Sequence, residues 1–137
     1  MANEAVQSVI AGAGGRHLAH GEWGLTVPDV GGWPLDIGVR VQRGVLRAQA
    51  FVAPAGAVDE HELLVRNRGL LLVRFTHTGS GDVWLVGELL EEHADERSVD
   101  RLLGLLVQAA ADVRTLIAQE QMGSGLAMPH PPGAADA

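Results

Sequence analysis

Only a few places in the chain bring chemistry-bearing side chains close together in sequence. His17-x-x-His20-x-Glu22 has the residue types and short spacing of a zinc or iron ligand set. It lies in a Gly-rich link with no cysteine and no clear third histidine, and reads as an ordinary polar loop. Gly12-x-Gly14-Gly15 has the composition of a phosphate loop, but such loops leave a strand and open a helix. Here the glycines follow a helical pattern, so they read as a helix stop. Ser80 lies between Gly79 and Gly81 without the intervening positions of a nucleophile elbow, and reads as a hairpin turn with His77 at a strand end. Glu91, Glu92, Asp95 and Glu96 fit no EF-hand spacing and read as a solvated acidic loop. No set of acid, base and nucleophile emerges, so the expectation is a non-enzymatic protein that needs no cofactor and no metal.

The side chains better suited to binding are spread more widely. Arg40, Arg47 and Arg74 are expected to share the polar face of a sheet, with Trp84 on a neighbouring strand. Arginine beside an aromatic suits an acidic peptide or nucleic acid, while pairing with acids such as Asp36 or Glu88 is the plainer expectation. Trp33, between Gly32 and Pro34, is a loop aromatic that caps the core or anchors a partner segment. Phe51 and Leu105 complete the expected partner-contact set. Leu105 stands out because it falls off its helix's apolar stripe, beside Arg101, Gln108 and Asp112.

The elements that must position these groups follow from periodicity. Asn3 is expected to cap a first helix carrying Ala5, Val6, Val9, Ile10 and Ala13, stopped by Gly12, Gly14 and Gly15. Trp23 to Val27 alternates as a strand that Pro28 ends, and Asp29 to Pro34 reads as a loop. Leu35, Ile37, Val39 and Val41 alternate with polar neighbours, Arg43-Gly44 turns the chain, and Leu46, Ala48, Ala50 and Val52 face back. Asp59 caps a short helix through Arg66. Leu70 to His77 and Asp82 to Leu90 form a second hairpin around Thr78-Gly79-Ser80-Gly81. Glu88 to Glu96 is an acidic loop, and Ser98 is expected to cap a last helix. Its stripe is Val99, Leu102, Leu103, Leu106, Ala110, Val113 and Ile117, and Gly123 is expected to end it. The expected fold is α+β: a mostly antiparallel five-stranded sheet with an N-terminal helix, a short middle helix and a long C-terminal helix, in the order α-β-β-β-α-β-β-α. Residues 1–121 form the expected single domain and residues 122–137 a loose Gly/Pro/Ala-rich tail.

Three local features carry a family resemblance. They are Leu63-Leu64 followed by Asn67, the strands Leu71 to Phe75 and Asp82 to Leu85 around a glycine turn, and a C-terminal helix with Ala111-Asp112 near its middle. With the order of elements over about residues 2–121, the chain resembles the YbjN-like family, which shares its fold with the type III secretion chaperones. The resemblance implies a dimeric, chaperone-like or adaptor role and offers no catalytic residues.

Composition bounds the rest. The chain has 137 residues, 47% of them hydrophobic, and a net charge of −7, with 17 acids against 10 bases that are all arginine. Such an acidic chain is a poor candidate for direct nucleic-acid binding, although an arginine-bearing sheet face keeps a regulator of nucleic-acid-processing machinery as the alternative function. Without cysteine there are no disulfides, thiol chemistry or thiolate metal sites. With no secretory signal and no apolar run near the ~20 residues needed to span a bilayer, a cytoplasmic protein is expected. The second hairpin is apolar on both faces, more than its helices are expected to cover. A homodimer through Leu70, Leu72, Trp84 and Val86 is therefore expected, together with an unidentified protein partner.

Overall fold

A computed structural model describes residues 2–127. The first helix, α1 (Ala2–Gly12), leads into four strands: β1 (Arg16–Ala19), β2 (Glu22–Val30), β3 (Trp33–Gln42) and β4 (Val45–Ala53). Then come α2 (Glu60–Asn67), β5 (Val73–His77), β6 (Val83–Leu90) and the long α3 (Glu96–Ala127). The strands form one sheet in the order β1-β2-β3-β4-β6-β5, with every neighbouring pair antiparallel. The architecture is the expected antiparallel α+β fold, with six strands in place of five.

One face of the sheet is the core. Leu35, Ile37 and Val39 from β3, Leu46, Ala48, Ala50 and Val52 from β4, and Val83 and Leu85 from β6 are all buried. From the other side they meet Val6 and Ile10 of α1 and the whole expected stripe of α3, Val99 through Ile117. Each such Leu or Ile, fully buried, stabilises the fold by roughly 1.5–3 kcal/mol. By length and composition α3 could cross a membrane, but its apolar stripe is spent on the sheet. On β6 the covered face has a glycine, Gly87. A Cβ there would lie 2.7 Å from Leu102 Cδ1 and 2.8 Å from Val73 Cγ1, so this position sets how closely α3 approaches the sheet.

Local chemistry explains the element ends. Gly14, at φ +85°, stops α1, and the Gly15 N–H donates back to Ile10 O at 2.8 Å. Arg43 and Gly44, both at positive φ, make the tight β3–β4 turn whose twist suits a two-residue hairpin. Asp59 caps α2 as expected, accepting from the His61 N–H.

Several expectations need correction. Asn3 lies inside α1, not at its cap. Asp95, not Ser98, caps α3: its carboxylate accepts from the Ser98 N–H at 2.8 Å, which holds that carboxyl below its ordinary pKa. Gly123 does not end α3, which runs through Ala127. The expected tail from 128 to 137 lies outside the described residues. Arg16–Ala19 is an edge strand, not a loop; its four residues are all exposed, so no alternation marks it. Asp29 to Pro34 is not a loop either. β2 continues past Pro28 through an irregular register, and Gly31-Gly32 alone turns the chain into β3. Finally, β5 begins at Val73 rather than Leu70. Leu72 has φ +65°, a left-handed conformation strained for a branched side chain, which breaks the strand.

Candidate protein-binding surface

The second face of the sheet carries the expected binding residues. Register places them in rows that run across the strands. One row is Glu22–Arg40–Arg47–Glu88. The next is Arg16–Gly24–Gly38–Gln49–Val86–Arg74. Beyond it, Phe51 pairs with Trp84 and Trp84 with Thr76. The three arginines thus share a face, but they are not a bare basic patch. Arg40 pairs with Glu22 at 3.6 Å, and Arg47 and Arg74 both converge on Glu88. The hydrogen bond from Arg47 is the main reason that the Glu88 carboxyl titrates below its ordinary 4.5. This pairing leaves the face little net positive charge, which weakens the alternative of a nucleic-acid surface.

Trp33, Phe51 and Trp84 form an aromatic ladder, with ring centroids 6.0 Å apart at each step. Trp33 is 40% exposed, and the other two are half-buried. The expected dimer residues separate. Trp84 and Val86 lie on this open face, but Val86 is only 8% exposed. Leu70 packs against the core, and Leu72 is 45% exposed on the link before β5. Leu105 is half-buried and packs against the core margin. The back of the hairpin is therefore less bare than its sequence suggests. Exposed apolar residues instead gather at Leu64 and Val65 on α2 and Leu71 and Leu72 just after it, with Leu18, Leu90 and Met122 exposed elsewhere.

Two residues that sequence reasoning did not assign hold this surface in shape. Arg114 of α3 is 2% exposed, and its guanidinium donates five hydrogen bonds, to the carbonyls of Val30, Trp33, Pro34, Phe51 and Val52. It also stacks 3.3 Å from the Trp33 ring centroid. Burial lowers its pKa to about 10, opposed by the charge of Asp36, so it remains a cation at neutral pH. Its position on the buried side of α3, four residues after Ala110 and one after Val113, was the available signal. Gly31 makes room for it: a Cβ there would lie 2.5 Å from Arg114 Cβ.

The second residue is Asn67. Its amide donates to Phe75 O at 3.1 Å and accepts from Phe75 N–H at 2.7 Å, so it pairs with the outer edge of β5 as a neighbouring strand would. The Val73 N–H is taken by Leu71 O. The β5 edge is thus capped by its own chain at Val73 and Phe75, whereas β1, at the opposite edge, is exposed along its length.

The positions that suggested reaction chemistry are not brought together. His17 lies against Trp23 with ring centroids 5.4 Å apart and the planes tilted, and His77 Nδ1 shares a hydrogen bond with Gly81 O. Among the described residues no group of three or more His, Asp or Glu side chains is placed to hold a metal ion.

No family model matches the sequence, and no curated protein does. Solved structures do. The chain is similar to the Yersinia pestis type III secretion chaperone SycH in complex with a stable fragment of YscM2, with TM-score 0.63 and 12% identity over 82% of this chain and 98% of that one. It is similar to the HopA1–SchA chaperone–effector complex, with TM-score 0.64 and 13% identity over 82% and 91%. It is also similar to the ExsC–ExsE complex, with TM-score 0.62 and 15% identity over 85% and 96%. At these identities the likeness is one of fold: the chain is an antiparallel α+β domain with the architecture of the type III secretion chaperones.

Proposed function

We propose that this chain is a non-enzymatic, chaperone-like or adaptor protein of the cytoplasm, related to the YbjN-like family, that works as a homodimer and holds a segment of a partner protein. The carrying observation is the unequal treatment of the sheet. The core face is buried and the β5 edge is capped by Asn67 at Phe75, while the open face and the β1 edge remain accessible. An accessible edge strand offers a row of backbone donors and acceptors to an extended segment, and the face beside it offers side-chain pockets. That solved chaperones of the same architecture are seen in complexes with protein partners supports the reading. The proposed dimer contact keeps Leu72 and adds Leu64, Val65 and Leu71, which lie within nine residues of one another.

Two measurements test this. Light scattering at micromolar concentration is expected to give twice the 14.4 kDa chain mass, reduced to one chain by Leu71→Glu. A tagged chain in its native host is expected to retain a protein that stays bound at high salt and is lost with Trp33→Ala. A monomer at every concentration, or capture that vanishes with salt, would count against the reading.

A further inference from the structure

Glycine in the middle of a strand weakens it, and where the backbone does not need it, it marks a place where something else approaches. Gly38 is such a glycine. It sits in the interior of β3 with no left-handed φ, and a Cβ built on it meets nothing within 4 Å. Its cross-strand neighbour Gly24 meets only the flexible side chain of Leu18, at 3.2 Å. Neither the conformation nor the packing of this chain requires Gly38. Together the two glycines floor a trough on the open face. It is a cavity of about 640 Å³ lined by Arg16, Leu18, Gln49 and Trp84, among others. Through Gln49 and Trp84 it continues into a second hollow of about 360 Å³ beside Arg47 and Arg74.

The charges along the trough are ordered. It follows the row Arg16–Gly24–Gly38–Gln49–Val86–Arg74, with an arginine at each end. Arg16 makes no ion pair among the described residues, and Arg47 and Arg74 share one Glu88, leaving an excess positive charge there. Midway along one side stands Asp36, held by the Thr26 hydroxyl at 2.6 Å, which repels an acid at the centre. Six strands at ~4.8 Å spacing separate the two ends by ~24 Å, the length of about seven extended residues.

We infer that this trough is the docking site of an extended partner peptide that carries acidic residues near both ends and small or apolar residues between, lying across the strands with its backbone against Gly24 and Gly38. Trp84 forms the wall for its central side chains. This rests on the protein-binding reading above and specifies its partner by chemistry.

The test is to pan a random dodecapeptide display library against the full chain, then measure the selected peptides by fluorescence anisotropy. Enriched peptides are expected to carry two acids flanking an apolar centre. Gly38→Val is expected to weaken them by at least about tenfold, a loss of hot-spot size, without lowering Tm, because the added methyls enter open space. Gly38→Ala, smaller still, is expected to weaken binding less, and Arg16→Ala and Arg74→Ala several-fold each. Enrichment of basic peptides, unchanged affinity in Gly38→Val, or displacement of the peptide by oligothymidylate overturns the inference. Peptides that protect the β1 amides from hydrogen exchange but ignore Gly38→Val overturn the trough and leave strand addition standing. If no peptide is enriched, both fall.

Discussion

Arg114→Met is the sharpest test of how the binding surface is held. Methionine keeps most of the side chain's bulk and removes all five donors, so it isolates the hydrogen bonds from the packing. The bonds to Val30 O and Val52 O lie in buried surroundings, and each carbonyl left without a donor costs roughly 1–3 kcal/mol. The bonds to Trp33, Pro34 and Phe51 carbonyls are half-buried, and their loss is partly repaired by water. Opposing these losses is the relief of no longer burying a cation, partly offset by its lost attraction to Asp36. The acceptors win, because three strand ends converge on one guanidinium, and the net loss is about 3–5 kcal/mol. At this chain length that is ~10–20 °C in Tm, at roughly 3–5 °C per kcal/mol. Arg114→Lys is expected to fall nearly as far, since three donors on a flexible stem cannot span five fixed carbonyls. Urea unfolding followed by circular dichroism measures it, with hydrogen exchange at the start of β3 reporting whether the loss is local. A change below about 1 kcal/mol in Arg114→Met would show that water or neighbouring amides serve those carbonyls, and the fastening role would be wrong.

Other perturbations follow from the same geometry. Asn67→Ala strips the outer partners from Phe75, and is expected to cost about 1–2 kcal/mol and to raise concentration-dependent association by sedimentation, because a second edge opens. Leu72→Gly relieves the left-handed strain, so it is expected to stabilise the isolated chain by up to ~1 kcal/mol in urea while weakening self-association by light scattering. Glu88 titrates lower folded than unfolded, so its contribution is present above pH 4.5 and is lost as pH falls from there through the depressed folded value. Stability is expected to drop on acidification with an amplitude below about 1 kcal/mol, since the pair is part-exposed, and the drop is expected to flatten in Arg47→Ala.

What the sequence disclosed depended on how far each feature is written in nearest-neighbour pattern. The α3 stripe, the β3–β4 hairpin and the Asp59 cap were legible because period, turn chemistry and capping are local. β1 was not, since an edge strand exposed on both faces carries no alternation. The link at Leu70–Leu72 misled, because three leucines before a clear strand extend its apolar run, and nothing local announces a positive φ at a leucine. The open face was legible as a set of arginines and aromatics, but not its order. The row of two glycines between two arginines exists only once five strand registers are fixed together. Arg114 and Asn67 act across sequence separations that periodicity does not reach, the first bonding a carbonyl 84 residues away.

The division of labour across the sheet also bears on what a dimer would do. The α2–β5 end and the β1 end are opposite margins of a six-stranded sheet, ~24 Å apart by strand spacing. Self-association through Leu64, Val65, Leu71 and Leu72 would therefore leave β1 free on both protomers, with the trough nearing the dimer contact only at its Arg74 end. A partner long enough to reach both sites would then bind the second at a raised effective concentration, gaining avidity with no new kind of contact. This predicts a specific asymmetry. A variant that stays monomeric, such as Leu71→Glu, should bind one short peptide with the affinity of the parent chain, yet lose a tandem peptide carrying two copies on a flexible linker by a large factor. If the short peptide is lost as well, the dimer contact and the trough are one site, and the separation of edge from face fails.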